Sequence, residues 1–275
     1  MVSFPNCKIN LGLSITRKRE DGYHDLETGF YPIHLNDILE IVQVPIENKA
    51  QDFRFTSSGI LIEGDEKQNL CVKAYQLLKA DFPEMPAIKM HLHKLIPMGA
   101  GLGGGSADGT FALVLLNQLF QLGLSENALI HYALKLGSDC PFFVLNQPCI
   151  AKGRGEILEK FDLDLSDYHF VLVHPGIHIN TGWAFSKIQP SIASHSLSEI
   201  LSLPIKEWKE LLVNDFENPV FEAYPEIAAI KSNLYQAGAI YAALSGSGST
   251  VFGIFKKENC PTLNFPTHYT TKLVD

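Results

Sequence analysis

The strongest local signal in the sequence is a glycine-rich segment in the middle of the chain, Pro97-Met98-Gly99-Ala100-Gly101-Leu102-Gly103-Gly104-Gly105-Ser106. Its five glycines can adopt backbone conformations that other residues avoid, and they let peptide N–H groups approach a ligand closely. A strand pattern over 88–92 precedes it, and an apolar helical pattern follows, with Ser106 as the expected helix cap. Because N–H groups and the helix dipole both attract negative charge at a helix start, phosphate is the predicted ligand. A side chain at Gly103 or Gly104 should then block its approach.

Two phosphate-binding motifs can be compared with this segment. A P-loop requires Gly-Lys-Ser/Thr at its end, whereas this chain has Gly105-Ser106-Ala107. The run from Gly99 to Gly104 does match Gly-x-Gly-x-x-Gly, so a dinucleotide-binding oxidoreductase is an alternative. Against it, the preceding strand alternates instead of being continuously apolar, Pro97 interrupts the connection, and Glu126 is a poor candidate for the expected acidic residue.

Composition narrows the class of protein. The 275 residues are 46% hydrophobic and 19% charged, which is typical of a globular protein, and the net charge is −8. An acidic chain is not expected to bind nucleic acid or an anionic membrane surface non-specifically, and no apolar run approaches the ~20 residues of a membrane span. The first eight residues lack the layout of a signal peptide, and the five cysteines contain no Cys-x-x-Cys pair. We therefore expect a cytoplasmic protein without a disulfide framework or a cysteine zinc site.

The pattern of apolar residues predicts alternating strands and helices. Asn69 and Ser125 are predicted N-caps, Gly137 a helix stop, and Pro225 the first residue of a helix that ends near Gly238. Strands are expected at 8–15 (half-buried), 30–44 (broken at Asn36-Asp37), 88–92, 142–145 (short and buried), 170–174, 240–244 and 251–255.

Four further segments allow either a structural or a functional interpretation. Asp139 follows a helix stop and fits a turn, and Lys8 on a strand fits a solvated face. The turn Asp21-Gly22-Tyr23-His24 and the small residues Ser245-Gly246-Ser247-Gly248-Ser249 could be plain connections, or places where a ligand approaches the backbone. His91 and His93 share a strand face, but no third ligand is near them in the sequence, so a metal site is not expected there.

Taken together, these segments resemble the galactokinase–homoserine kinase–mevalonate kinase–phosphomevalonate kinase superfamily. Its three motifs occur in order: Lys8-Ile9-Asn10-Leu11, the glycine-rich segment, and Ser245-Gly246-Ser247-Gly248-Ser249. Asp21-Gly22-Tyr23-His24 and Gly137-Ser138-Asp139-Cys140-Pro141-Phe142-Phe143 resemble the branch that phosphorylates the 2-hydroxyl of a cytidine-diphosphate-linked methylerythritol in the non-mevalonate isoprenoid pathway. This branch usually carries Ser-Ser after the glycines and Ala-Asp-Val-Pro around the aspartate. Ser106-Ala107 and Ser138-Asp139-Cys140-Pro141 depart from both patterns but keep the first serine and the aspartate.

The resemblance implies an α+β fold with two domains, an N-terminal domain like ribosomal protein S5 and a C-terminal ferredoxin-like domain, with the active site between them. We place the boundary near residue 158, which gives domains of 1–158 and 159–275. The implied activity is ATP-dependent transfer of a phosphoryl group to a small molecule, with Mg²⁺ bridging the nucleotide phosphates. Another kinase of the superfamily, for homoserine or mevalonate, is the main alternative, and the Tyr23-His24 turn argues against it.

The resemblance also implies roles for individual residues. Asp139 matches the catalytic aspartate and Lys8 its partner lysine, so that Asp139 would accept the hydroxyl proton while Lys8 supplies positive charge. The expected ATP-binding residues are the glycine-rich segment with Asn69 and Lys94. The expected residues for the second substrate are Asn10, Tyr23, His24, Phe185, Ser247 and Gly248, with Tyr23, His24 and Phe185 at the cytosine. The ligands of Mg²⁺ and the oligomeric state are not implied.

Overall fold

The computed structural model describes residues 1–44, 53–191, 195–258 and 261–275. The strands in these ranges are β1 (Val2–Ser3), β2 (Asn6–Lys18), β3 (His24–Asn36), β4 (Ile38–Gln43), β5 (Phe53–Gly59), β6 (Ile88–Lys94), β7 (Cys149–Gly153), β8 (Ile157–Lys160), β9 (Tyr168–His174), β10 (Tyr241–Leu244), β11 (Val251–Lys256) and β12 (Thr270–Val274). The α-helices are α1 (Leu70–Asp81), α2 (Gly104–Phe120), α3 (Glu126–Leu136), α4 (Cys140–Leu145), α5 (Thr181–Ser186), α6 (Leu197–Leu201), α7 (Ile205–Leu211), α8 (Glu217–Ala223) and α9 (Pro225–Gln236).

The first of two compact units comprises residues 1–7, 35–98 and 103–146. Its sheet has the strand order β1-β4-β6-β5 and is antiparallel apart from the β5–β6 pair. Ile88, Met90 and Leu92 are buried, as their alternation predicts, in a core to which α1, α2 and α3 also contribute. Burial of this apolar face is the main favourable term for the unit.

Local capping determines where the helices of this unit begin and end. Asn69 Oδ1 accepts the N–H of Cys71 at 2.9 Å, Ser125 Oγ accepts the N–H of Ala128 at 3.3 Å, and Gly137 ends α3, so these three predictions are confirmed. The prediction that Ser106 caps α2 is wrong. This helix begins at Gly104, and its N-cap is Gly103, which has φ +69° and no side chain to make a cap.

The second unit comprises residues 8–34, 99–102 and 147–275. Most of the sheet β2-β3-β7-β8 lies in it, together with the whole sheet β10-β11-β9-β12. Strand β11 pairs antiparallel with both β10 and β9, and Val251 and Phe255 lie in one core with the α9 residues Ile227 and Ile230. The predicted strands on both sides of residues 245–249 are confirmed, as is the helix that begins at Pro225.

Two predictions about secondary structure and burial are wrong. Residues 142–145 belong to the helix α4, not to a strand; Pro141 suits a first helical turn, and so short an apolar run carries no decisive periodicity. Strand β2 is not half-buried, because every residue from Asn6 to Leu13 is buried. Apolar and polar side chains still alternate along it, but polar residues such as Lys8 and Asn10 are buried and hydrogen-bonded instead of facing solvent.

The two units interleave along the sequence, since Lys8–His34 belong to the second and Leu35–Met98 to the first. The boundary near residue 158 stays a prediction. Among the described residues, no helix is long and apolar enough to span a membrane.

Candidate active site

Lys8 is the most unusual side chain of strand β2, because it is a lysine with only 3% of its surface exposed. Its Nζ donates to Asn10 Oδ1 at 2.6 Å and lies 3.4 Å from the carbonyl oxygen of Gly101. The same ammonium lies 4.8 Å from the centre of the Phe30 ring. The interpretation of Lys8 as a solvated face residue is therefore wrong, and strand β2 holds a positive charge at a fixed place inside the second unit.

The third motif contacts the other two within this unit. Ser245 Oγ donates to the carbonyl of Gly101 at 2.8 Å and accepts the N–H of Asn10 at 3.3 Å. A Cβ atom on Gly101 would lie 2.0 Å from the carbonyl oxygen of Ser245, so this position admits no side chain. Lys8, Asn10, Gly101 and Ser245 thus form one cluster, in which residues far apart in the sequence hold each other in place.

The rest of the third motif is equally confined. Ser247 Oγ lies 3.2 Å from Thr181 Oγ1, at the start of α5. Gly248 has φ +91°, and a Cβ on it would lie 2.9 Å from Ile179 Cδ1. The connection between β10 and β11 is therefore a tightly packed turn, and a substrate-binding role for Ser247 and Gly248 stays a prediction.

The three residues predicted to recognise a nucleobase also lie in the second unit. His24 stacks on Phe185 with ring centres 4.9 Å apart and an angle of 17° between the rings, and Phe185 meets Phe216 edge-on at 4.9 Å. Tyr23 is 57% exposed, and the Arg154 guanidinium lies 5.1 Å from the centre of its ring. The structure thus joins His24 to Phe185, while a sandwich of cytosine between Tyr23 and Phe185 stays a prediction.

The turn that carries Tyr23 is braced by ion pairs. Arg19 binds Asp21 and Asp25 through separate nitrogens, and Asp21 Oδ1 also accepts the N–H of Tyr23 at 3.1 Å. Hydrogen bonds from Arg19 lower the pKa of both carboxyl groups, so they stay ionised at neutral pH. These contacts hold the backbone of the turn at Tyr23.

The glycine-rich segment enters α2 in the first unit. The N–H of Ala107 bonds to the carbonyl of Gly103, and no side chain caps the helix. The N–H groups of the first turn, at Gly104, Gly105 and Ser106, lack partners within the helix itself. A Cβ on Gly104 would lie 2.8 Å from Ile96 Cγ2, whereas the nearest atom to a Cβ on Gly105 is Met98 Cε at 3.8 Å. The arrangement suits an anion at this helix start.

Lys94 and Asn69, both expected at the adenosine, have other partners in this structure. Lys94 is fully buried, and its Nζ pairs with Asp37 and, at 2.8 Å, with Asp108. The side-chain oxygen of Asn69 caps α1. Their contacts with ATP stay predictions, and the described contacts give both residues a structural role.

Asp139 occupies the N-cap position of α4, with φ −82° and ψ −15°, and its side chain makes no cap hydrogen bond. It belongs to the first unit, whereas Lys8 belongs to the second. The predicted pairing of Asp139 with Lys8 stays a prediction.

Comparison with known proteins agrees with the motifs. The family model for the GHMP kinases N terminal domain matches residues 69–147, and the model for the GHMP kinases C terminal matches residues 196–259. A 4-diphosphocytidyl-2-C-methyl-D-erythritol kinase of Bacteroides fragilis strain YCH46 is 53% identical over 258 residues, which cover 94% of this chain and 93% of that protein. A kinase of the same name from Azobacteroides pseudotrichonymphae is 51% identical, with 98% and 99% covered.

The chain belongs to the 4-diphosphocytidyl-2-C-methyl-D-erythritol kinase family of GHMP kinases. A crystal structure of a kinase of this family superposes with a TM-score of 0.79 at 30% identity and covers 92% of this chain and 90% of its own. The mevalonate kinase of Methanococcus jannaschii shares the fold alone, at a TM-score of 0.65 and 13% identity, with 94% and 92% covered. The predicted α+β GHMP kinase fold is confirmed, and ATP is the expected phosphoryl donor of a kinase. The dinucleotide-binding alternative is wrong.

In this member of the family, three residues that no sequence pattern indicated contact the predicted site residues or the turn that carries them. Thr28 Oγ1 accepts a hydrogen bond from Asn10 at 2.9 Å, and buried Asn214 donates to the carbonyls of Leu244 and Gly246 at 2.8 and 2.9 Å. Arg154 covers one face of Tyr23. No motif marks Asn214 or Arg154, because the contacts named here join each of them to residues at least thirty positions away in the sequence.

No group of three or more His, Cys, Asp or Glu side chains that could hold a metal ion occurs among the described residues of this GHMP kinase. Mg²⁺ keeps several water ligands and usually binds through one or two carboxylates together with substrate phosphates. Binding of Mg²⁺ together with the nucleotide phosphates stays a prediction.

Proposed function

We propose that this kinase transfers the γ-phosphoryl group of ATP to the 2-hydroxyl of 4-diphosphocytidyl-2-C-methyl-D-erythritol, a step of non-mevalonate isoprenoid synthesis. The observation that carries the proposal is the coexistence of two sets of residues in a chain more than 50% identical to a kinase of that name. One set is the glycine-rich helix start for phosphates. The other is the aromatic group of Tyr23, His24 and Phe185, which suits a nucleobase.

The chemistry needs charge compensation on the phosphates and an aligned nucleophile. Backbone N–H groups at Gly104 and Gly105 would bind phosphate oxygens, and buried Lys8 would offset the charge of the transferring group. Asp139 would accept the proton of the substrate's 2-hydroxyl while the oxygen of that hydroxyl forms a bond to the γ-phosphorus. The bond from that phosphorus to the β–γ bridging oxygen breaks, and ADP leaves.

We propose that ATP binds as its Mg²⁺ complex. The nucleotide phosphates would supply most of the oxygen ligands of the ion, and the Ser106 hydroxyl at the start of α2 could supply another. When bound, the ion would neutralise charge on the β- and γ-phosphates.

A substrate panel tests this function. The purified chain is given MgATP with the cytidine substrate, methylerythritol phosphate, homoserine or mevalonate in turn, and ADP release is followed. We expect turnover with the cytidine substrate and, by phosphorus NMR, a new monoester at its 2-hydroxyl. Preferred turnover of homoserine or mevalonate would contradict the proposal and would favour the corresponding GHMP kinase activity.

A further inference from the structure

Three charged side chains lie together in the core of the first unit. Lys94 and Asp37 have no exposed surface, and Asp108 is 3% exposed. The ammonium of Lys94 pairs with Asp37 Oδ2 and, at 2.8 Å, with Asp108 Oδ2. These three residues, which we call the buried triad, come from the β3–β4 turn, the end of β6 and the second turn of α2.

Asp37 binds the chain just ahead of the glycine-rich segment. While Oδ2 faces Lys94, Oδ1 accepts the N–H groups of Leu95 at 2.5 Å and Ile96 at 2.9 Å. One carboxylate therefore fixes three successive residues, 94 to 96, and both backbone donors point at the same oxygen.

The far end of the segment returns to the same place. Asp108 lies four residues after Gly104, the first residue of α2. A Cβ on Gly104 would lie 3.0 Å from Lys94 Nζ, so the first turn of α2 packs directly against the ammonium. The triad thus holds both ends of the stretch between Lys94 and Asp108, and closing a stretch in this way removes much of its conformational freedom.

The arrangement of charges in the triad does not maximise the stability of the folded chain. Two carboxylates share one ammonium, and Asp108 Oδ1 has no hydrogen-bond partner among the described residues. Burial above all, with the charge of Asp37, raises the pKa of Asp108 to about 7. Because buried ion pairs can often be replaced by apolar residues without loss of stability, a role in positioning explains the triad better than stability does.

We propose that Asp37, Lys94 and Asp108 are positioning residues that hold the start of α2 in the geometry that binds the phosphates of ATP. This inference rests on the proposed function, because it assigns the helix start to ATP. The triad would act through Ile96, whose N–H binds Asp37, and through Gly104, which packs against Lys94.

Steady-state kinetics of four variants test the proposal. Asp37→Asn puts an amide N–H₂ against either Lys94 or the two backbone donors, and Asp108→Leu removes the tie to α2. Both variants should raise the KM for ATP about tenfold or more, which is the loss of affinity expected when about one hydrogen bond to phosphate is misplaced. The KM for the cytidine substrate should change less than about twofold. Asp108→Asn keeps an acceptor for Lys94, so its rise in KM should be at least about threefold smaller than that of Asp108→Leu.

Leu78→Ala is the matched control for lost stability, since Leu78 is fully buried in the same unit on α1 and its apolar side chain makes none of the triad's hydrogen bonds. It should lower the melting temperature and leave the KM for ATP unchanged. If the triad variants fold and bind ATP like wild type, or if Leu78→Ala raises the KM for ATP equally, the positioning role is refuted. Failure of the wild type to use ATP at all would instead refute the proposed function.

Discussion

Gly104 and Gly105 are neighbours at the start of α2. Comparing substitutions at the two positions separates the effect of an added side chain on the fold from its effect on ATP binding. A Cβ on Gly104 would lie 2.8 Å from Ile96 Cγ2 and 3.0 Å from Lys94 Nζ, inside normal contact distance. A Cβ on Gly105 would meet nothing closer than Met98 Cε at 3.8 Å. Both residues are helical, so neither substitution forces a left-handed backbone. We therefore compare Gly104→Ala with Gly105→Ala.

The distances set the expected magnitudes. Overpacking at Gly104 should lower the free energy of unfolding by about 1–3 kcal/mol. In a chain of this size, each kcal/mol lowers Tm by roughly 2–4 °C. Gly105→Ala makes no clash, and alanine favours a helix by up to about 1 kcal/mol over glycine, so its Tm should hold or rise slightly. Crowding the first-turn N–H groups should nevertheless weaken a charge-assisted hydrogen bond to phosphate of about 1.5–3 kcal/mol, a factor of roughly 10 to 100 in the KM for ATP.

Thermal melts and initial rates, with each substrate varied in turn, make the comparison. Gly105→Ala should show a normal Tm, a raised KM for ATP and an unchanged KM for the cytidine substrate. An unchanged KM for ATP in Gly105→Ala would refute the assignment of phosphates to this helix start. Gly104 substitutions cannot decide the question alone, because their clash with Ile96 and Lys94 disturbs the fold as well as the ligand.

Three other perturbations address the remaining groups. Tyr23→Ala should weaken binding of the cytidine substrate about 10- to 100-fold in calorimetry while ATP binding is kept, since one base–aromatic stack contributes ~1–3 kcal/mol; equal loss of both ligands would contradict it. Asp139→Asn should lower kcat about 10²- to 10⁴-fold in rapid-quench assays, and its combination with Lys8→Ala should cost less than the product of the single effects; fully multiplicative effects would instead mean that the two residues work at separate places. Burial and the charge of Asp37 raise the pKa of Asp108 to about 7, so the folded chain keeps a proton that the unfolded chain loses near pH 4. Stability from this group is therefore present below about pH 4 and is lost as pH rises through about 7. The free energy of unfolding of Asp108→Asn, measured by urea titration at several pH values, should lack this pH dependence.

Much of the local structure followed from short-range rules. Asn69 and Ser125 begin their helices as predicted, because each side chain caps an N–H group only two or three residues away. Gly137 ends α3 as predicted, because glycine is a poor helix former. The strands around residues 245–249 were equally predictable from their apolar runs. Residues 142–145 were not, since four apolar residues fit a buried strand and a buried helix equally well.

The site divides in the same way. The glycine-rich segment, Lys8, Asp139 and the Tyr23-His24 turn could be picked out because their motifs are contiguous in the sequence. Their partners could not: Ser245 bonds to Gly101 across 144 positions, and Lys94 pairs with Asp37 across 57. A contact at such separation depends on how strands and helices pack, and no local pattern records it.

The kinase motifs, most helix and strand positions, and the residue types suited to phosphate and a nucleobase could all be predicted from local sequence patterns. Which polar residues are buried depends on how the whole chain packs, as two lysines show. Lys8, which fits a solvated strand face in sequence, is enclosed with Asn10 and Gly101, and Lys94 is enclosed with two carboxylates. A buried charge is tolerated only where other parts of the chain supply its hydrogen-bond partners, so its environment exists only once the chain has folded.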